Sequence, residues 1–289
     1  MEKINIIGVP EHFNFPWLQV VASQPFASSE IILEWEDESR GSGAMIKALR
    51  DGSADIAVVL TESFIKDRIE GNPSKIIGFH VRSPLLWGIH VSSKSKIDSV
   101  SDLKNVPFLI SRLGSGSHLM AYLLAKQEGW PLKELQFEIV GNMDGAKKAF
   151  RSTLPKVFLW EKFTTQPMVD QGLFTRVGEI PTPWPCFVMV ASEGAIQKHG
   201  KILLEIRNLV YEESRILSND LKLIPRLSQQ YGISEADLET WWVQTAWATD
   251  GTVSISDLEM TMKTLKELDL IKSIVPALDL VDESFVSLI

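Results

Sequence analysis

Asp55-Ile56-Ala57-Val58-Val59-Leu60 is the stretch on which the fold turns. After its first residue the run is apolar at every position, the pattern of a strand covered on both faces in a sheet flanked by helices. The pattern holds on the N-terminal side. Residues 4–9 read as a short apolar strand, 17–26 as a helix with Leu18, Val21 and Ala22 inward, and 31–35 as a second strand. Gly41-Ser42-Gly43 then opens a helix with Met45, Ile46 and Leu49 on one face, and Gly52 ends it. Strand, helix, strand, helix, strand predicts a parallel sheet with crossover helices.

Further along, residues 75–81 and 86–91 read as two more strands, with Arg82-Ser83-Pro84 between them. Ser101-Asp102-Leu103 reads as a short helical turn and 108–111 as a strand. Arg112-Leu113-Gly114-Ser115-Gly116-Ser117-His118 then leads into a helix with Leu119, Met120, Leu123 and Leu124 as its stripe, stopped by Gly129. The alternation restarts with a strand at 137–140, a helix capped by Asn142 and running to Phe150, and a strand at 157–160. Pro181-Thr182-Pro183-Trp184-Pro185 is the most proline-dense segment and predicts a boundary. One strand follows at 187–191. The remainder reads as helical, with Ile202, Ile206, Leu209, Val210 and Leu217 on one face. Ser234-Glu235-Ala236-Asp237 and Ser256-Asp257-Leu258-Glu259 both have capping-box form.

The expected fold class is therefore α/β: two αβ lobes with mixed, mostly parallel sheets and a helical C-terminal tail. Lobe I is discontinuous, residues 1–85 plus 187–289, and lobe II is 88–180. Crossovers at 82–88 and 181–187 act as hinges. Such an arrangement predicts a ligand cleft between the lobes, faced by the loops at the strand C-termini.

Composition narrows the function. The 289 residues suffice for about two domains. Hydrophobic residues make up 45% and charged residues 23%, the balance of an ordinary globular protein. The net charge of −8 argues against a nucleic-acid partner. A single cysteine, Cys186, excludes an internal disulfide, a cysteine zinc cluster and an iron–sulfur cluster. The five histidines lie at no metal-ligand spacing, so neither a metal nor a cofactor is expected. No apolar run approaches the ~18 residues of a membrane span. The N-terminal residues Met1 to Gly8 lack the form of a secretory signal. The sequence as given reads as cytoplasmic, and as periplasmic if a leader has been removed.

Several short motifs, in this order, carry a resemblance. Asp55-Ile56-Ala57 follows the Gly52 turn, and Ser99-Val100-Ser101-Asp102-Leu103-Lys104 comes next. Gly114-Ser115-Gly116-Ser117-His118, Trp160-Glu161 and Gln171-Gly172 complete the set. The chain resembles the periplasmic-binding-protein-like fold of the second type over nearly its whole length. Within that fold it is similar to solute-binding proteins for nitrate, taurine or alkanesulfonates, and to those for thiamine-pyrimidine precursors. Exported members carry a signal peptide or a lipid-anchor cysteine, and the eukaryotic pyrimidine-synthase relatives carry a cysteine cluster. Neither feature is present here, so ligand and cellular role do not follow from the resemblance.

The candidate ligand residues lie where strands hand over to helices. Arg112, Gly114, Ser115, Gly116 and Ser117 combine helix-terminal N–H groups, hydroxyls and a guanidinium, which suits a carboxylate, sulfonate or phosphate. The bland alternative is a serine-capped helix behind a glycine turn. No GK[ST] ending follows, so this is not a nucleotide P-loop. Gly41 and Ser42 form the equivalent start in lobe I, and Asn142 caps another in lobe II. His12, Phe13 and Asn14 follow the first strand and would place aromatics at the cleft mouth. They would equally serve as a hydrophobic loop pinning the next helix. Thr61 and Glu62 end the third strand, and Trp160 and Glu161 follow a lobe II strand. Their acids suit a polar or cationic substituent, and Trp160 a flat ring. Trp87 and Trp184 mark the crossings, where hinge packing competes with ligand contact for Trp184. Of Trp241-Trp242, at least one belongs to the core. Glu34, Glu36, Asp37 and Glu38 read as a solvated edge.

No nucleophile–base–acid constellation is visible, so no catalytic residue is assigned. The expected function is solute binding of the ABC-transporter kind, or a cytoplasmic derivative of it. The ligand would be a small organic anion or a substituted heteroaromatic, of the sulfonate or pyrimidine-precursor class, sequestered by hinge closure. The alternative is a cytoplasmic enzyme on the same fold, in thiamine-pyrimidine or menaquinone-type biosynthesis. An effector domain of a regulator is a third reading, disfavoured by the acidic balance and the lack of a helix-turn-helix extension. A monomer is expected, with a transporter permease as partner if the chain is exported.

Overall fold

The structure is a computed structural model and describes residues 1–152 and 154–289. The chain divides into two compact units. The first comprises Met1–Ser83, Pro183–Arg226 and Glu239–Ile289; the second comprises Pro84–Thr182 and Leu227–Leu238. Residues 227–238, expected within the C-terminal return to the first lobe, group with the second unit.

The chain opens with β1 (Glu2–Gly8), α1 (Phe15–Ser23), β2 (Ile31–Asp37), α2 (Ser42–Asp51), β3 (Ile56–Leu60), α3 (Thr61–Ile69) and β4 (Lys75–Val81). The second unit then holds β5 (Leu86–Ser92), β6 (Phe108–Ile110), α4 (Gly116–Gln127), β7 (Phe137–Ile139), α5 (Met143–Ala149), β8 (Val157–Glu161), α6 (Lys162–Asp170) and β9 (Phe174–Pro181). The chain continues through β10 (Phe187–Ala191), α7 (Glu193–Leu217), α8 (Ile224–Tyr231) and α9 (Glu235–Gln244). It ends with β11 (Thr252–Val253), α10 (Ile255–Glu267) and β12 (Ser287–Leu288).

Each unit is built on a five-stranded mixed sheet, ordered β2-β1-β3-β10-β4 in the first and β7-β6-β8-β5-β9 in the second. In each, one strand runs against the other four: β10 is antiparallel to β3 and β4, and β5 to β8 and β9. The remaining pairs, β1 with β2 and β3, and β6 with β7 and β8, are parallel. Ile56, Ala57, Val58 and Val59 of β3 are all buried, as is every residue of β10, as expected of interior strands in a sheet covered on both faces. The outgoing and returning segments are laced on either side of the boundary. Cys186 N–H donates to the Ser83 carbonyl at 3.1 Å, and Thr182 N–H donates to the Leu85 carbonyl at 2.9 Å.

Several local expectations are corrected. α1 starts two residues early, with Pro16 in its first turn, where the missing N–H costs nothing. It stops at Gln24 in a left-handed conformation, φ 46°. Its buried face is Phe15, Trp17 and Val20, whereas Leu18 and Val21 are half-buried and Ala22 is exposed. Leu209 of α7 is exposed rather than inward. α10 is capped by Ser254, whose hydroxyl accepts from Asp257 N–H at 3.2 Å, and not by Ser256. β9 was not foreseen. It is an edge strand paired only with β5, and its sequence alternates weakly. Within the acidic edge, Glu38 is buried and paired with Arg40, which holds its carboxyl below the usual range.

Candidate functional site

In the first unit the parallel strands β1, β2 and β3 end at one edge of the sheet, and the start of the antiparallel β10 lies at the same edge, where Phe187 pairs with both Leu60 and Val81. The geometry therefore gathers His12, Phe13, Asn14, Gly41, Ser42, Thr61, Glu62 and Trp184 at one edge, although 172 residues separate His12 from Trp184. All but the half-buried Gly41 are buried. Gly41 has φ +77°, a conformation a side chain would strain, and it turns the chain into α2. Ser42 does not cap its own helix: its hydroxyl accepts Leu60 N–H at 3.1 Å and ties α2 to the end of β3. Thr61 is stitched to the returning segment, with its hydroxyl donating to the Pro185 carbonyl at 2.6 Å and its N–H to the Cys186 carbonyl at 3.0 Å.

The His12–Asn14 turn is held from a distance. The Phe13 carbonyl accepts two bonds at 2.8 Å, from His80 Nε2 and from Trp247 Nε1. Burial lowers the His80 pKa to about 4, so at neutral pH its single proton must lie on Nε2 to make that bond. Asn14 Nδ2 donates to the Val9 carbonyl at 2.8 Å, while its Oδ1 has no partner among the described residues. The His12 ring stacks on Phe13 at 4.8 Å and meets the edge of Trp241 at 4.3 Å. Burial drops its pKa to about 3, which keeps it neutral. His80, Trp241 and Trp247 were missed as site residues. No local motif marks them, because they act across long sequence separations.

Glu62 occupies the first turn of α3, 2% exposed. Trp184 Nε1 donates to its Oε2 at 2.9 Å, and Oε1 has no partner among the described residues. Burial pushes its pKa up to about 7, against smaller opposing bonds from its own amide and from Trp184. The folded value exceeds the unfolded 4.5, so the associated stability is present below pH 4.5 and is lost as pH rises through 7. Chemical denaturation of wild type against Glu62→Gln should show this. The difference should shift in favour of the glutamine variant by up to about 3 kcal/mol between pH 4.5 and 8. A pH-independent difference would contradict the buried, unpaired carboxyl.

In the second unit β6, β7 and β8 also end at a common edge, each leading into a helix. Gly114, at φ +76°, turns the chain after β6. Ser115 and Ser117 are buried and their hydroxyls are used inside the turn. Ser115 Oγ donates to the Arg112 carbonyl at 2.7 Å and accepts His118 N–H at 3.3 Å. Ser117 Oγ accepts Ser111 N–H at 3.1 Å and lies 3.0 Å from Ser115 Oγ. Gly114 N–H donates to His118 Nδ1 at 3.0 Å. The anion-type donors of the turn are therefore the Gly116 and Ser117 amides, which open α4, rather than the hydroxyls. Arg112 is half-buried beside them in sequence.

The other candidates of this unit have structural duties. Asn142 Oδ1 accepts Asp144 and Gly145 N–H, each at 3.1 Å, as the cap of α5. Glu161 caps α6, with Oε1 accepting Phe163 N–H at 3.1 Å and Oε2 accepting Thr164 N–H at 2.6 Å and its hydroxyl at 2.7 Å. Both of its oxygens are thus taken, unlike those of Glu62. Trp160 is half-buried and stacks on Phe158 at 5.3 Å, against the core of Leu109, Ala146, Phe150 and Phe174. Gly145 is packed so closely that a Cβ would lie 1.8 Å from the Val140 carbonyl oxygen. Gly145→Ala should therefore cost about 1–3 kcal/mol by displacing the Asn142 cap. Urea unfolding checks it, and an unchanged midpoint would contradict the packing.

The two sheets, each with one reversed strand and helix starts along one edge, are those of the periplasmic-binding-protein fold, here of its second type. Residues 87–180 match the sequence model of a family described as Ca3427-like PBP. No curated protein matches the chain. The fold is similar to that of the Candida albicans CA3427 gene product, described as defining a new family with the generic periplasmic-binding-protein fold. The TM-score there is 0.88 and the identity 23%, covering 98% of this chain and 96% of that one. It is also similar to the alkanesulfonate-binding protein SsuA of Xanthomonas axonopodis pv. citri, bound to MOPS, with TM-score 0.80, 15% identity and coverage of 100% and 99%. The ligand-binding component of an ABC-type import system from Staphylococcus aureus, with zinc bound, matches at TM-score 0.75, 16% identity and coverage of 99% and 98%. Among the described residues no helix is long and apolar enough to cross a membrane, and no cluster of His, Cys, Asp or Glu is placed to hold a metal.

Proposed function

We propose that the chain is a solute-binding protein of the kind that serves ABC import, or a cytoplasmic derivative of one. Its ligand is a small organic anion, of the sulfonate class or a heteroaromatic carrying an acidic substituent. The observation that carries this reading is the Arg112–Ser117 turn. There the first-turn amides of a 12-residue helix follow a left-handed glycine, and Arg112 stands four residues before the helix. Such a helix start concentrates N–H donors and positive dipole on an anion. Within the first unit, Asn14, Glu62 and Trp184 are the polar and aromatic groups gathered at its own sheet edge. In a transport role the protein partner is a permease.

A thermal-shift screen of small sulfonates, phosphonates, carboxylates and amino-substituted heteroaromatics tests the reading. A ligand at 100 times its Kd adds about 2.7 kcal/mol, a rise of several degrees in melting temperature. The second reading, an enzyme on this fold, is favoured by Glu62, since a buried carboxyl titrating near neutrality is what general acid–base chemistry uses. Mass analysis of a bound solute before and after incubation separates the two. An unaltered solute supports binding alone.

A further inference from the structure

We propose that Glu62 recognises its ligand as an uncharged hydrogen-bond donor, a neutral carboxylic acid whose proton is offered to a hydroxyl, carbonyl or ring-nitrogen acceptor on the solute. This rests on the reading of the first unit's sheet edge as a ligand face. It reverses the simpler expectation that an acid at this position selects a cationic substituent.

The geometry argues for it in three ways. Glu62 is 2% exposed and makes none of the ion pairs of the described residues, so an ionised carboxylate here has no counter-charge. Its one bond to another residue, from Trp184 Nε1 to Oε2 at 2.9 Å, places a donor on one oxygen and makes that oxygen the natural carbonyl of a neutral acid. The proton then lies on Oε1, the oxygen with no partner among the described residues. A buried O–H without an acceptor is costly, and a solute acceptor removes that cost. Asn14, on the same sheet edge, likewise leaves a buried oxygen, Oδ1, without a partner among the described residues.

The surroundings do not supply a competing charge. α3 packs against β3, α2 and α10. β3 carries no titratable residue. The charged side chains of α2 are Lys47, Arg50 and Asp51, all exposed, and Arg50 is engaged by Asp67 near the far end of α3. Those of α10 are Glu259, Lys263, Lys266 and Glu267, all exposed, and the half-buried Asp257. Trp184 comes from a segment of prolines and aromatics, and His12 and His80, two of the buried histidines of this unit, are neutral across the relevant range. Burial holds the Glu62 proton to about pH 7.

Two sulfonates of equal length test the inference. Isethionate ends in a hydroxyl and taurine in an ammonium, and the two are otherwise alike. Calorimetry at pH 6 should give wild type at least a tenfold preference for isethionate. That affinity should fall at least tenfold by pH 8.5, as the proton is lost. Glu62→Gln keeps a donor and cannot ionise, so it should retain isethionate binding and lose the pH dependence, while Glu62→Leu should bind weakly throughout. A preference for taurine, or affinity for either sulfonate that rises with pH, would overturn the proposal. The ligand-free protein supplies an independent readout. Infrared difference spectra between pH 6 and 8.5 should contain a protonated-carboxyl band that is absent from Glu62→Gln. Lack of that band overturns the proposal with or without a ligand. If the band is present and neither sulfonate binds, the protonated acid stands and the sulfonate class proposed above is what fails.

Discussion

Trp241→Ala will lower the stability of the protein by about 3–5 kcal/mol, the cost of emptying a fully buried aromatic site. Trp241 is 1% exposed and lies among His12, Phe13, Trp242 and Trp247, with ring centroids 4.3, 5.3, 5.8 and 5.4 Å away. For a chain of this size the loss is a fall of roughly 10 °C in melting temperature. Val243, two residues on in the same helix, is 87% exposed, and Val243→Ala should change nothing measurable. The tryptophan variant should also bind ligand more weakly, because the ring it loses packs on the His12–Asn14 turn. Differential scanning calorimetry of the two variants decides the point. Equal, small shifts would mean that the aromatic cluster does not carry the turn.

Arg112→Ala will weaken binding of an anionic solute by about 1.5–3 kcal/mol, the range for hydrogen bonds to a charged group. The bonds that close the turn itself do not use the guanidinium, so the turn should keep them in the variant. The Arg112 carbonyl accepts from Ser115, Ser111 N–H reaches Ser117, and Gly114 N–H reaches His118. Ser117→Ala is expected to act differently. Its hydroxyl is bound within the turn, so its removal should lower stability as well as affinity, while the amides of Gly116 and Ser117 remain. A neutral isostere of the solute should bind wild type and Arg112→Ala almost equally. Titration calorimetry with the charged and neutral solutes is the check, and an Arg112→Ala protein that binds the anion at full affinity would move the anion elsewhere.

The parts of this account legible in the sequence are those that depend on neighbours in the chain. β3 and β10 are read directly because both faces of each are covered, so apolar residues run without alternation. The Asn142 cap and the glycine turn before α4 are likewise local. β9 is the opposite case. As an edge strand it faces one neighbour, and Thr175, Arg176, Gly178 and Glu179 do not distinguish it from a loop. The hold on Phe13 by Trp247 joins residues 234 apart and leaves no trace in spacing. The roles of the two acids are the sharpest lesson. Glu62 and Glu161 both follow a strand at a helix start, yet Glu161 spends both oxygens on its own helix, while Trp184 takes only one from Glu62. Sequence position places a carboxyl; only the packing around it decides whether an oxygen is left over.

The most direct test of the central claim is titration calorimetry with the solute that most raises the melting temperature, on wild type, Arg112→Ala and Glu62→Leu. The account predicts one solute per chain and reversible binding, with affinity lowered by Arg112→Ala or by Glu62→Leu. A screen in which no small anion or heteroaromatic binds, or a solute that both variants hold as tightly as wild type, would contradict it.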